Sequence, residues 1–241
     1  MKIEIDTHTH TLISGHAYNT MKEMAEKAKE KGLKGLAVTD HTPEMPGSTH
    51  LFYFQNLRVV PRNREGIELL LGAELNIINE TGEVDLPEPV LRELDIAVAS
   101  IHKPCYKGGL DKDKVTEAYI HAMENPYIDI IGHPDDGRYP IDYEKLVRKA
   151  KETETLLEVN NSSLNPASFR VNARENVLEM LAYCKKYEAE IVLGTDSHVD
   201  ETIADYGYTE ELLKEADFPE RLIVNTSLEK LKASLKRRKK G

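Results

Sequence analysis

The chemistry in this chain is carried by its histidines and a few carboxylates. The densest group is Asp6-Thr7-His8-Thr9-His10, followed by His16. Residues two apart on an extended segment share a side, so His8 and His10 can grip one ion, and neutral imidazole is the commonest protein ligand for zinc-like metals. Further candidates stand where apolar runs end: Asp40-His41, Glu74, His102, His133 and Asp196-Ser197-His198. Seven of the nine histidines, with Glu74 and Asp196, make a set too large for one tetrahedral ion. It suits two or three neighbouring ions bridged by a carboxylate, which can turn water into hydroxide near neutral pH and clamp the oxygens of a transferring phosphoryl group. His50 and His121 fall outside the pattern. His121 reads as a mid-helix structural or surface residue, and His50 reaches substrate only if the loop that carries it closes.

The elements that must position this set are short apolar β-type runs separated by helical stretches, the pattern of a parallel sheet wrapped by crossover helices. The strands are read at Lys2 to Asp6, Gly35 to Thr39, Glu68 to Glu74, Asp95 to Ile101, Ile128 to Gly132, Leu156 to Asn160 and Ile191 to Thr195. Helical spacing follows at Thr20 to Gly32 and, later, near Asp113 to Glu124, Asp142 to Thr153 and Ala173 to Tyr187. An eighth run, Leu222 to Val224, precedes a helix from about Ser227; it either closes the barrel or leans on it. In a parallel barrel the C-terminal strand ends share one face, where catalytic residues collect. The histidines therefore converge there.

At 241 residues the chain fits one α/β barrel. Its formal charge of -10 argues against nucleic acid as the main partner, but a small anionic substrate is compatible with it. No apolar run reaches membrane-spanning length, and the opening Met1-Lys2-Ile3-Glu4-Ile5 has no signal-peptide core, so the expectation is a cytoplasmic protein. Cys105 and Cys184 read as free thiols of a reducing compartment, and the basic run 236–240 as a solvated helix end. The longest irregular stretch, 42–65, contains His50, Tyr53, Arg58, Arg62 and Arg64, and its length suggests a lid over a site. Among the cations able to receive phosphate, Arg62 and Arg170 are favoured over Arg64, Lys103 and Arg138. Asn160-Asn161-Ser162-Ser163 faces the same rim or simply forms a turn. Asp40 and Asp6 either orient an imidazole as outer acceptors or cap the next turn.

These residues resemble the PHP superfamily, named for polymerase and histidinol phosphatase. The likeness rests on Asp6-Thr-His8-Thr-His10-Thr11, Ser14-Gly-His16, Thr39-Asp-His41, Gly72-Ala-Glu74, Ser100-Ile-His102, Gly132-His133-Pro134 and Gly194-Thr-Asp196-Ser-His198. His16-Ala17-Tyr18 brings it nearest to the small single-domain bacterial phosphatases with a trinuclear zinc site. The resemblance implies a distorted (βα)7 TIM-like barrel over residues 1–241 with the metal site at the C-terminal ends of the strands. It also implies hydrolysis of phosphate monoesters by a metal-activated hydroxide. It assigns His8, His10, Glu74 and Asp196 to one metal, Glu74, His102 and His133 to a second, and His16, His41 and His198 to a third. Zinc is the expected ion, three per chain, and manganese or iron could substitute for it. The expected partner is a small phosphorylated metabolite, and assembly into a homo-oligomer through the outer helices stays open. Two other readings are an amidohydrolase-like hydrolase of carbon-centred bonds and a non-catalytic metal-binding module. The first is disfavoured because no strand-end lysine takes the place of a metal bridge.

Overall fold

A computed structural model describes residues 1–236, so residues 237–241 of the basic terminal run lie outside the described part. The elements, in chain order, are strand β1 (Ile5–Asp6), helix α1 (Met21–Glu30), β2 (Gly35–Val38), α2 (Leu51–Asn56), β3 (Asn63–Arg64), β4 (Ile67–Asn76), α3 (Glu88–Leu91) and β5 (Ile96–Ser100). They continue with α4 (Lys112–Glu124), β6 (Ile130–Ile131), α5 (Tyr143–Thr153), β7 (Leu156–Asn160), α6 (Ala173–Tyr187), β8 (Ile191–Gly194), α7 (Gly207–Glu215) and α8 (Leu228–Ser234). Seven strands pair in parallel in the order β1-β2-β4-β5-β6-β7-β8, while β3 only pairs antiparallel with β4. This is the distorted (βα)7 barrel.

Alternation along the strands explains why they read as nearly continuous apolar runs: both faces are buried. One face contributes Ile5, Ala37, Leu70, Ile96 and Val98, Ile130, Leu156 and Val192, at least one residue from each parallel strand, to a single cluster inside the barrel. The other face, including Leu36, Leu69, Leu71, Ala97, Ile131, Leu157 and Leu193, packs under the helices. Helix α8 closes the bottom of the barrel, adding Leu228 and Leu231 to the inner cluster, with Leu235 just beyond it. Helix α1 starts as its sequence dictates, with Thr20 and Glu23 forming a reciprocal capping box. Its buried residues Met24, Ala25 and Ala28 recur at helical spacing.

The seam between β1 and β8 settles the alternatives for Leu222 to Val224. That segment is not a strand. It lies in 3-10 turns with one bridge, Ile191 to Ile223. The neighbouring Asn225 stitches the lower seam instead: its side-chain amide donates to the carbonyls of Ile5 (3.0 Å) and Leu193 (2.8 Å) and accepts from the Leu193 N–H (3.1 Å). At the upper end the two strands meet directly, through Asp196 N–H to His8 O (2.8 Å) and His10 N–H to Ser197 O (2.9 Å). The loops bearing the first and last histidines of the set are thereby joined by backbone.

The stretch 42–65 departs from the lid expectation. Phe54 and Leu57 are buried in the outer core, and Leu51, Tyr53 and Val60 pack against it. Burying two such side chains stabilises this position by about 2 kcal/mol each. Of this stretch only Met45 lines the cavity above the histidines, so it braces the barrel wall rather than covering the mouth.

Candidate metal centre

Each strand delivers its residue to the C-terminal face of the barrel. His8 and His10 follow β1, His41 follows β2, Glu74 is near the end of β4, and His102, His133 and Asp196 each lie two residues beyond β5, β6 and β8. His133 (φ 28°) and Asp196 (φ 55°) hold left-handed backbone, which costs about 1–3 kcal/mol per non-glycine residue and clusters at functional sites.

Glu74 is the hub. Its Oε1 lies 2.9 Å from His133 Nε2, 3.2 Å from His102 Nε2 and 3.4 Å from His8 Nε2. Its Oε2 lies 2.7 Å from His41 Nδ1 and 3.5 Å from His10 Nε2. Asp196 Oδ1 is 3.2 Å from His10 Nε2 and 3.7 Å from His8 Nε2. Among the described residues, three sets of ligand atoms fall within 4.8 Å of one another: His8, His10 and Glu74; His41, Glu74 and His102; and His10, His41 and His198. The His16 ring stacks at 4.9 Å on both His41 and His198. His41 thus stands between two sets, where the family resemblance assigns it to one.

The outward nitrogens of four rings are held by acceptors, which sets the tautomer. His8 Nδ1 faces the Glu158 carboxylate at 2.8 Å, and His102 Nδ1 faces Asn76 Oδ1 at 2.8 Å. His198 Nδ1 faces the Asp196 carbonyl at 2.9 Å. His10 Nδ1 is 3.1 Å from Ser14 Oγ, whose own proton goes to Asp40 Oδ1 at 2.8 Å. Each ring then donates outward, and its Nε2 carries a lone pair toward the centre when neutral. His8 Nε2, His10 Nε2, His41 Nδ1 and Glu74 Oε2 are buried without a hydrogen-bond partner. Each such atom left unsatisfied would cost about 1–3 kcal/mol; His41 Nδ1 and Glu74 Oε2, 2.7 Å apart, answer one another in part, but His8 Nε2 and His10 Nε2 do not. Cations ligated by these atoms remove that cost, so the donor set fits a metal centre.

Electrostatics agree. Burial alone would raise the Glu74 carboxyl, but His102, His8 and His41 hold it well below its usual range. Burial opposes ionisation of Asp196 too, and is outweighed by His8, His10 and Arg170. For His8 burial works against the charged form, yet Glu158, Glu74 and Asp196 push its pKa well above the ordinary value. Burial, with His198 and His41 beside it, pushes His10 well below. The carboxylates thus favour positive charge beside His8, whereas burial and the neighbouring rings disfavour it on His10.

Around this centre lies a cavity of about 600 Å³. Arg170 lines it with a side chain only 8% exposed, donating to Asp196 Oδ2 (3.0 Å), Asn160 Oδ1 (3.1 Å) and Ser163 Oγ (2.8 Å). Asn161, Ser162, Lys103 and Arg138 line it as well. Arg62 is placed elsewhere. Its guanidinium holds Asp95, at the opposite end of β5, at 2.9 Å and the carbonyls of Leu57 and Val60. Its role is to pin the 42–65 stretch. Arg62→Ala is accordingly expected to leave turnover within about twofold and to lower stability by about 1 kcal/mol or less, the pair being partly exposed. Steady-state rates and a thermal melt measure both; a tenfold loss of activity at unchanged stability would return Arg62 to the substrate.

Asp40 accepts from Thr11 N–H (2.7 Å), in the turn after β1, and from Ser14 Oγ, which faces His10; Tyr53 of α2 donates to it at 2.8 Å. Asp6 ties β1 to the chain after β8, accepting from Thr195 N–H (3.1 Å), Thr195 Oγ1 (2.6 Å) and Ala204 N–H (3.3 Å), and burial pushes its pKa up to about 6. His121 Nδ1 meets the Glu80 carbonyl at 2.8 Å, and His50 caps α2 by accepting from Phe52 N–H.

Sequence reasoning missed Glu158. It is fully buried, and besides His8 it accepts from His133 N–H at 2.7 Å and Asn160 Nδ2 at 3.0 Å. The available signal was an acid inside the apolar run Leu156-Leu157-Glu158-Val159, two residues from inward-facing Leu156. Asn76 and Ser100, which donates to Glu74 Oε1 at 2.7 Å, carry weaker versions of it.

Comparison with known proteins places these features in context. The PHP domain family model matches residues 6–218. A protein of Clostridium novyi named "probable phosphatase" is 45% identical over 98% of this chain and 96% of its own length. Another of that name from Caldicellulosiruptor saccharolyticus is 49% identical over 95% and 94%. The crystal structure of histidinol phosphate phosphatase from Lactococcus lactis, complexed with zinc, L-histidinol and phosphate, superposes with a TM-score of 0.65 at 19% identity, covering 91% of this chain and 95% of that one.

Proposed function

Because this chain belongs to the PHP domain family, we propose that it is a metal-dependent phosphatase that releases phosphate from small phosphate monoesters at a three-metal centre. The observation that carries this reading is the convergence of buried, unpartnered ring nitrogens on Glu74, with their outward nitrogens held by fixed acceptors. His8, His10, Glu74 and Asp196 would hold one ion, His102, His133 and Glu74 a second, and His16, His41 and His198 a third. His41 also stands within reach of the second set. Zinc is the favoured ion, supported by the nitrogen-rich donor set and by the zinc in the Lactococcus lactis enzyme; manganese or iron could take the same ligands.

When bound, such ions lower the pKa of water and neutralise phosphoryl oxygens. The chain's own residues supply orientation and charge. Arg170, braced by Asp196, Asn160 and Ser163, presents a fixed guanidinium at the edge of the centre, suited to two phosphoryl oxygens. Glu158 and the Ser14-Asp40 pair fix the ring planes of His8 and His10, so the ligand atoms need no rearrangement when a substrate arrives. The names of the relatives favour phosphate esters over the carbon-centred bonds of the amidohydrolase reading and over a non-catalytic module. The activity is proposed for one domain spanning the chain. A cytoplasmic location is proposed with it, on the two free, buried cysteines.

The test is phosphate release from p-nitrophenyl phosphate before and after chelation, with zinc, manganese or iron restored separately. We expect release to be lost on chelation and recovered with at least one metal. No metal-dependent release under any of the three would refute the reading.

A further inference from the structure

Helix α2 is seated on the barrel wall by Phe54, 1% exposed in the outer core, and the ring of Phe54 meets that of Tyr53 edge-on at 5.1 Å. Packing thus places the Tyr53 ring, and its hydroxyl donates to Asp40 Oδ2 at 2.8 Å. Burial, and then the Asp40 charge beside it, push that phenol well above its ordinary range, so it stays a donor. Asp40 is fully buried, and every donor that the described residues give it is neutral. The Thr11 hydroxyl lies between its two oxygens, at 3.0 and 2.9 Å, while the Thr11 N–H and Ser14 Oγ both address Oδ1. Tyr53 is therefore the donor that Oδ2 does not share, and it fixes the plane of the carboxylate.

From Asp40 the order runs inward to the centre. The Ser14 proton goes to Asp40 Oδ1 at 2.8 Å, which leaves the hydroxyl oxygen to accept from the His41 N–H and to meet His10 Nδ1, each at 3.1 Å. A hydroxyl has one proton. With that proton on Asp40, Ser14 can only accept from His10, so the imidazole hydrogen sits on Nδ1 and Nε2 keeps its lone pair. A carboxylate free to turn would let the Ser14 proton swing to Nδ1. The His10 hydrogen would then occupy Nε2, the buried atom that faces Asp196 and Glu74.

We propose that Tyr53 is a positioning residue for the metal centre: by fixing Asp40 Oδ2 it keeps the Ser14 proton off His10 and so holds His10 in the tautomer that can ligate. The proposal rests on the metal-centre reading above. It gives the stretch 42–65 a part in the site through a chain of three hydrogen bonds, with no need for Tyr53 to touch substrate.

Zinc retained at graded free-zinc concentrations, set with a chelating buffer, reads the effect without turnover. Tyr53→Phe keeps the ring and its packing and removes only the hydroxyl. Ser14→Ala should weaken the binding of at least one ion about 10–100-fold, as loss of an outer partner to a ligating histidine does, and Tyr53→Phe, further out, about three- to tenfold. In the protein carrying both changes, Tyr53→Phe should add less than about twofold to the effect of Ser14→Ala, because its influence passes through the Ser14 hydroxyl. The proposal is overturned if Tyr53→Phe retains zinc as the wild type does, or if its effect is as large without the Ser14 hydroxyl as with it. Wild-type protein that retains no zinc would instead refute the metal-centre reading beneath it.

Discussion

Glu74→Gln is expected to reduce turnover by at least about 10³-fold and to lower the bound metal, while the protein remains folded. One carboxylate reaches five imidazoles, at 2.7 to 3.5 Å. The amide keeps the shape of the side chain but removes a full negative charge and turns one ligand oxygen into a hydrogen-bond donor facing imidazole lone pairs. Fold and metal binding respond differently to this change. The barrel core beneath is apolar and independent of it, whereas the proposed bridging of two ions would draw on both oxygens. Elemental analysis, circular dichroism and phosphate release on the same preparation separate the two effects. Turnover within tenfold of wild type, with metal retained, would remove Glu74 from the centre.

A methyl group at Gly194 should damage the fold and the ligand set together. A Cβ there would stand 1.9 Å from Glu158 Oε1 and 2.9 Å from His8 Cβ. A carboxylate at the free end of a side chain could swing away, but this one is held by His8 Nδ1, His133 N–H and Asn160 Nδ2 in a fully buried position. Overpacking costs about 1–3 kcal/mol, and breaking the His8 bond adds about 1–3 more for the groups left unsatisfied. Gly194→Ala should therefore lower the melting temperature by about 6–12 °C, taking roughly 3 kcal/mol at 2–4 °C per kcal/mol for a chain of this size. It should also weaken metal binding about 10–100-fold, as loss of an outer partner to a ligating histidine does. Combining it with Glu158→Ala, which removes the clash, should cost less than the two single changes summed, because the two residues share one space. Strict additivity would mean that the glycine matters for some other reason.

The parts of the fold legible in the sequence were those set by local periodicity. The seven parallel strands, helix α1 and the helices near α4, α5 and α6 all follow from apolar spacing and end signals. Strand lengths were less legible. β1 is confined to Ile5–Asp6, with Glu4 before it bonding both Asn225 and the start of β2, and β6 to Ile130–Ile131, because pairing depends on neighbours distant in sequence. Helices α2, α3 and α7 went unread; α2 and α3 have only six and four residues, too short for a periodic signal. The same distinction governs the site. Histidines at strand ends announce themselves by type and position, whereas Glu158 gains its role only because His8, 150 residues away in sequence, lies beside it. Arg62 and Arg170 looked alike as loop cations; Asp95 takes one to the opposite rim and Asp196 holds the other at the centre.

The central claim is that the histidine cluster holds metal ions and uses them to hydrolyse phosphate monoesters. Metal content and phosphate release, measured on one purified preparation during stepwise removal and return of zinc, test it most directly. The account predicts about three ions per chain at full occupancy, as many as the ligand sets proposed, with activity that falls and returns in step with them. Full activity in protein stripped of metal, or full metal occupancy with no phosphate released from any monoester, would contradict it.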